Sequence, residues 1–501
     1  MYTDKVQSTY FFLENCWSIT RFIKMPPILN SNNKYTTTTE SKISRLNGND
    51  ELKDVHQNGE HTSNRDQIPD SFESEEVLDP FCNAESPQKI SFHDVTSAAF
   101  LIKGGIVETP CPRSHISDEI GMELYLKEEF LQFTGSFKER GARYALLKLP
   151  EAQKNKGVIS ASLGNHAQGL SYHGYKLNIP VTVVMPEAAT LMKIQKCRSY
   201  GARVVVEGKD MAEAKRIALR MSKEEGLTYI NGYDHPHIMA GQGTIGLEIL
   251  EQVSEPDAVI IPVGGGGLLA GIATAIKSLS PKTKIIGVES ERCQSFTRAM
   301  ENGGPIYTPI ESTLADGLAV PTCGYNAYVT ALPLLDKMVV VKEAWIALSI
   351  LRLVELEKCV VEGAGAAGLA AILSGHLNEF KGKKVVSLLC GGNIDTTVFG
   401  RCLERGLAAE GRLLRFNVTV SDRPGGIADL CKLLAELGVS VKDIMHERAW
   451  LHDIFSVEVK VVCETRDWEH SVELRKTLKE RYAQVRFIDS PMAIPGYEMN
   501  E

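Results

Sequence analysis

Lys138 stands in Thr134-Gly135-Ser136-Phe137-Lys138-Glu139-Arg140-Gly141, a turn of small residues that opens a helix-like run from Ala142 to Leu147. Gly135 and Ser136 leave room beside the lysine for a flat ligand. A lysine amine can form an imine with a carbonyl cofactor. Lysine is more often a solvated surface charge, so residue type alone decides nothing. A second chemical signal lies further on. Gly264-Gly265-Gly266-Gly267 joins a nearly continuous apolar run, Asp257 to Val263, to an apolar helix-like run from Leu268 to Lys277. The first run fits a strand buried on both faces. Glycines between such a strand and a helix N-terminus bare backbone N–H groups toward a concave space, an anion cradle suited to phosphate. A flexible linker is the alternative, but linker glycines are seldom flanked so closely by buried patterns. No Gly-Lys-Ser/Thr ending follows, which excludes a P-loop. Gly265-x-Gly267-x-x-Ala270 does fit a dinucleotide fingerprint, with Glu289 placed after the strand 284–288 for a ribose contact. A nicotinamide-dependent oxidoreductase is therefore the rival reading, although it leaves Lys138 without a role. Cys390 ends another buried run, 384–389, and Gly391-Gly392-Asn393 follows. Cysteine at a strand end packs more often than it reacts, but two glycines after it point to close approach of a ligand.

These residues need a scaffold, and the chain reads as α/β. Strand-like runs at 122–127, 157–162, 181–186, 202–206, 257–263, 284–288 and 384–389 are spaced by helical segments. That spacing implies βαβ units and mostly parallel, open sheets with flanking helices. Residues 1–90 differ: the Asn30-Ser31-Asn32-Asn33 and Thr36–Thr39 tracts and the polar stretch to Glu76 cannot bury enough apolar surface to order themselves. A disordered N-terminal extension is expected there, and its first residues make a poor secretory signal. The catalytic domain is expected over 91–410, with a smaller subdomain inserted at about 157–234. After about Glu410 the pattern becomes strand 414–420, helix 427–437, strands 439–444 and 454–462, helix 468–482 and strand 485–488. This βαββαβ order is ferredoxin-like and defines a separate domain over 411–495. It carries no catalytic cluster, so binding or dimerising is its natural work.

Composition narrows the class. The chain has 501 residues, a formal charge of -8 and 43% hydrophobic content, enough for several cores but with no basic stripe for nucleic acid. Eleven scattered cysteines without Cys-x-x-Cys pairs fit a reducing compartment rather than a disulfide framework. No apolar run reaches the length of a membrane span. A cytoplasmic location is expected, with mitochondria as the alternative.

The motifs together resemble the fold-type-II pyridoxal-phosphate enzymes, in particular the threonine/serine dehydratase (threonine ammonia-lyase) and serine racemase group. The resemblance spans about Ser91 to Leu407. It is carried by Gly135–Gly141, Gly164-Asn165-His166-Ala167-Gln168-Gly169, Ala240-Gly241-Gln242-Gly243-Thr244, the four glycines, Ala315-Asp316-Gly317, Glu362-Gly363-Ala364-Gly365 and Cys390-Gly391-Gly392-Asn393. The tail is similar to ACT-type regulatory domains through Asp422-Arg423-Pro424-Gly425.

The resemblance implies the roles. Lys138 would hold pyridoxal 5'-phosphate as an imine and, once freed, take the substrate's Cα proton. Phe137 would flank the pyridine ring and Asn165 would hydrogen-bond its phenolic oxygen. Gly264, Gly265, Gly266, Gly267 and Leu268 would hold the phosphate, and Cys390 would face the ring nitrogen. A neutral thiol there makes a weak electron sink, which suits elimination of a β-hydroxyl and disfavours transamination. Ser162, Leu163, Gly164, Asn165 and His166 form the loop that binds the substrate carboxylate. The implied reaction is α,β-elimination of L-threonine or L-serine to a 2-oxo acid and ammonia, with serine racemisation as the alternative. Leu163 departs from the pattern, standing where racemases carry a serine. Glu289, with the Cys293 backbone, is the candidate ligand of a mono- or divalent cation, but the usual second carboxylate is missing. Asp422, Pro424 and Gly425 mark the turn expected to bind an amino-acid effector. A homo-oligomer, dimer or tetramer, is expected.

Overall fold

A computed structural model describes residues 79–490. The expected disordered extension lies, up to residue 78, outside the described residues. Its last part is placed, unlike the expectation: residues 79–90 run along the helix Tyr325–Ala331, where Asn326 accepts from Gln88 N at 2.6 Å and donates to Phe81 O at 2.7 Å. Ile90 is buried there, so apolar contact and two hydrogen bonds offset the ordering cost that the polar sequence implied.

Thirteen strands are described: β1 (Glu123–Lys127), β2 (Val158–Ala161), β3 (Val181–Met185), β4 (Arg203–Val206), β5 (Thr228–Tyr229), β6 (Ala258–Pro262), β7 (Lys284–Ser290), β8 (Lys337–Val341), β9 (Lys384–Leu388), β10 (Leu413–Ser421), β11 (Ser440–Glu447), β12 (Ser456–Glu464) and β13 (Val485–Phe487). They form three sheets. The first, in the order β1-β9-β6-β7-β8, is parallel throughout. Its middle strand β6 is buried at every position, as its unbroken apolar run demands. The second, β4-β3-β2-β5, is also parallel and is drawn wholly from residues 158–229. The third, β11-β12-β10-β13, is antiparallel and carries the helices Gly426–Glu436 and Trp468–Arg481, completing βαββαβ.

The helix Lys138–Leu147 places Ala142, Ala145 and Leu146 in the core beneath the second sheet. Phe137, one residue earlier, belongs to the core of the first. Lys138 therefore sits at the junction of the two sheets. Two residues on, the buried Arg140 is held by Glu129 at 2.7 Å and by Glu248 at 2.5 Å, and Glu248 also takes Lys127 Nζ at 2.6 Å. Buried charges are tolerable only when paired in this way. The network pins the first turn of the lysine helix. The helix Thr396–Ala409 then leads out of the catalytic body into β10. At its end Arg352 pairs with Glu410 and, at 2.9 Å, with Glu355, while Arg412 meets Glu355 at 2.8 Å. Among the described residues no helix is long and apolar enough to cross a membrane.

Candidate active site

The turn before Lys138 is stitched to the end of β9. Phe137 N donates to Cys390 O at 3.1 Å, and Gly392 N donates to Gly135 O at 2.9 Å. These bonds bring Lys138 and Cys390, distant in sequence, to one place. Lys138 Nζ donates to Gly232 O at 2.5 Å and lies 5.2 Å from the centroid of the Phe137 ring. Burial lowers the amine to about 8, with the acidic groups Cys390 and Glu362 opposing the shift. Cys390 is 2% exposed, and burial first, then Glu362, pushes its thiol far up, so it stays neutral.

The four glycines lie where the sequence places them, between β6 and the helix Gly267–Leu279. Gly266 caps that helix with φ of 88°, and no side chain satisfies the first-turn N–H groups. A Cβ on Gly267 would sit 2.0 Å from Tyr233 O, so only glycine lets the two backbones approach. Leu268 turns its side chain into the core of the first sheet, leaving its backbone N–H on the first turn. The cradle thus presents unpaired donors and a positive helix end to an anion.

A second helix N-terminus follows the substrate loop. The loop Ser162-Leu163-Gly164 enters the helix Asn165–Leu177, whose cap residue Gly164 has no capping side chain. Ser162 Oγ accepts long bonds from Gly164 N and Ala167 N, 3.4 and 3.3 Å. Asn165 is held at both ends of its amide, by Glu362 Oε1 at 2.8 Å and by Asn393 Nδ2 at 2.9 Å. His166, the last residue of the expected substrate loop, turns its ring inward. Its ring is buried behind the loop against Gly232, with Nε2 3.4 Å from Ile230 O. Burial, reinforced by the Lys138 charge, holds it down to about 3, so it is neutral.

Glu289, the expected cation ligand, is already engaged within the protein. Both oxygens of Glu289 are engaged by the start of the helix Ser295–Asn302: Phe296 N at 2.7 Å, Thr297 N at 2.9 Å and Thr297 Oγ1 at 2.6 Å. The carboxylate completes the cap of that helix. Cys293 donates its thiol to Leu318 O at 3.2 Å. Among the described residues no group of three or more His, Cys, Asp or Glu is placed to hold a metal. In the tail, Asp422 is bound by Arg448 Nε at 2.8 and 2.9 Å, a pairing the turn sequence did not announce. Pro424 and Gly425, the latter with φ of 106°, lead into an uncapped helix start at Gly426.

Sequence reasoning singled out Lys138, Asn165, Cys390 and the glycines but gave Glu362 and Asn393 no role. Their only signal was membership in small-residue motifs. The fit to a flat ring bearing a phosphate is good. A neutral thiol, a buried amine and an aromatic ring stand together. The buried Ser136 Oγ beside them has no partner in the protein, and the bare helix start is ready for the anion.

Comparison with known proteins agrees. Residues 102–391 match the model of the family described as pyridoxal-phosphate dependent enzyme. The L-threonine ammonia-lyase of Thermotoga maritima is 40% identical over 401 residues, covering 80% of this chain and all of its own length. The solved structure of the processed form of threonine deaminase isoform 2 from Solanum lycopersicum superposes with a TM-score of 0.60 at 35% identity, covering 64% of this chain and 95% of that one. Serine racemase from Dictyostelium discoideum gives 0.58 at 34% identity, covering 61% of this chain and 99% of that one. A match over more than half of the chain, laid on a site whose lysine, thiol and glycine cradle fit the cofactor, makes this protein a member of the pyridoxal-phosphate dependent enzyme family, with pyridoxal 5'-phosphate as its cofactor.

Proposed function

We propose that the protein is an L-threonine ammonia-lyase that also accepts L-serine, releasing 2-oxobutanoate or pyruvate and ammonia. The observation that carries the reading is Lys138: a buried amine, lowered to about 8, at the junction of two parallel sheets and bonded to Gly232 O. Bound there, pyridoxal 5'-phosphate supplies the electron sink that acidifies the α-hydrogen of an amino acid and lets its β-hydroxyl leave. The residues of the chain do the rest. Lys138, brought by burial to about 8 so that a share of it is neutral near pH 7, is the base that removes the Cα proton. Phe137 packs beside the ring, and Asn165 directs an amide hydrogen to its phenolic oxygen. The backbone from Gly264 to Leu268 holds the phosphate at a helix start. The loop from Ser162 to His166 holds the substrate carboxylate at another, His166 through its backbone and not its ring. Cys390, held neutral by burial, leaves the ring nitrogen without a carboxylate partner, which favours elimination.

The tail, residues 411–495, acts in this reading as an ACT-type domain that binds a free amino acid near Asp422, Pro424 and Gly425. β11 is an edge strand with Val441, Ile444 and Met445 exposed, which supports pairing of tails in a homo-oligomer. The location proposed is cytoplasmic.

The test is turnover of L-threonine by the full chain, followed as 2-oxobutanoate. Lys138→Ala is expected to abolish it with the fold intact, and substantial residual turnover with unchanged pH dependence would defeat the assignment. Deleting the residues after Arg412 is expected to keep catalysis but end any response to isoleucine or valine. An unchanged response would remove the tail as sensor.

A further inference from the structure

One buried carboxylate has no part in the roles above. Glu362 immediately precedes the helix Gly363–Leu373 and is 5% exposed. Its Oε1 accepts from Asn165 Nδ2 at 2.8 Å. Asn393 closes the circuit with its side chain, donating from Nδ2 to Asn165 Oδ1 at 2.9 Å and to Thr134 O at 2.7 Å. Gly391 lies in the middle: a Cβ there would come within 2.5 Å of Glu362 Oε1 and 3.2 Å of Asn165 Nδ2. The close approach of carboxyl and amide thus depends on a missing side chain.

A free asparagine amide can turn over and exchange its oxygen for its nitrogen. Here the oxygen is claimed by a donor and one Nδ2 hydrogen by an acceptor, which leaves a single orientation and one hydrogen unclaimed. We propose that Glu362 is a positioning residue that locks the Asn165 amide so that its remaining Nδ2 hydrogen points at the cofactor. This rests on the reading that Asn165 meets the cofactor ring. Burial, with the Asp316 charge adding and Lys193 opposing, raises Glu362 to about 7. Lys138 and Cys390 are the other titratable groups that feel its charge. Protonation does not undo the lock, because a neutral carboxyl keeps a carbonyl oxygen that accepts.

The experiment is a double-mutant cycle on the full chain, read as the Kd of the apoprotein for pyridoxal 5'-phosphate by absorbance titration, with Tm recorded in parallel. Glu362→Ala is expected to weaken binding roughly tenfold, the scale of one hydrogen bond to a charged group. Glu362→Gln, which keeps an acceptor oxygen, should recover most of that loss. In an Asn165→Ala background, Glu362→Ala should add nothing further. A purely structural role would instead lower Tm and act equally in both backgrounds, and would overturn the proposal. So would a Gln variant as weak as the Ala variant. If Asn165→Ala weakens binding and Glu362→Ala does not, the positioning role fails while the Asn165 reading stands. If neither does, both fail. Should the Ala variant not fold, the Gln variant alone and in the Asn165→Ala background completes the same cycle.

Discussion

Lys193 and Asp316 meet across the cleft, with Nζ 3.4 Å from a carboxylate oxygen. The lysine stands on the helix Leu191–Ser199 beside the second sheet, and the aspartate on the turn Asp316–Leu318 beside the first. Together they flank a cavity of about 1360 Å³ that also reaches Glu362 and Asn393. The pair is partly solvated, so its worth to the fold is small, on the order of 0.2–1 kcal/mol. Its geometry matters more for holding the two halves together around a substrate. Lys193→Ala should leave Tm nearly unchanged and raise KM for L-threonine by up to about fivefold, with kcat less affected. Steady-state kinetics with a melting curve checks this; a large loss of Tm with unchanged KM would make the pair structural.

The lowered lysine gives a pH signature. Burial brings Lys138 from 10.5 to about 8, and the neutral amine is the nucleophile. The rate at which apoprotein captures pyridoxal 5'-phosphate should therefore climb with pH and level off above about 8. Stopped-flow absorbance across the range measures it, and a midpoint near 10.5 would show that the amine is solvated.

Glu289 makes a prediction about stability. Burial raises its carboxyl from 4.5 to about 7 despite three donors. A carboxyl raised on folding supports the native state fully below its unfolded value, and that support is lost as pH rises through the folded one. Tm of the apoprotein should then fall between about 4.5 and 7. Glu289→Gln should flatten this slope while lowering Tm at the acid end, because one cap acceptor is gone. Some slope should remain, since Glu362 is raised in the same direction. Calorimetry of both proteins against pH decides it, and equal slopes would refute the assignment.

Leu163 bears on the choice between elimination and racemisation. Racemisation needs proton removal on one face of Cα and delivery on the other. Lys138 can serve one face, and an alkyl side chain on the substrate loop cannot serve the second. L-Serine should yield pyruvate with little D-serine, and Leu163→Ser should raise the D-serine fraction modestly. Ser162, whose Oγ is only loosely held by Gly164 N and Ala167 N, is the competing hydroxyl. Chiral chromatography separates the cases: D-serine formed as fast as pyruvate by the native protein would show that Leu163 is no block.

Most strands of the two parallel sheets were readable because apolar runs such as Asp257–Val263 and Lys384–Leu389 announce burial on two faces. The tail was readable because its alternation switches cleanly between period 2 and period 3.6. β5 and β8 escaped: two residues, Thr228 and Tyr229, have no period, and Lys337–Val341 is an edge strand buried at only two positions. The pairing of β1 with β9 escaped because it joins residues far apart in the chain, which local pattern cannot express. Within the site, Lys138 and the glycines stood out by their neighbours. Glu362 did not, since its importance comes from burial and from two asparagines more than 30 residues to almost 200 residues away. The bonds Glu289 makes within the protein were not legible either, because they begin seven residues later at Phe296.

The helix Thr396–Ala409 begins three residues after Asn393 and ends at the Arg352–Glu410 clamp beneath β10. Fourteen residues of α-helix make a rod of about 21 Å. Such a rod resists stretching, because every turn is closed by its own hydrogen bonds. A displacement of the tail's first strand, were an effector to cause one, would meet a stiff connection rather than a slack one. Its far end lies at Ile394 and Asp395, next to Asn393, whose amide steadies Asn165. The tail and the catalytic cleft are joined less like beads on a string than like the two arms of a lever.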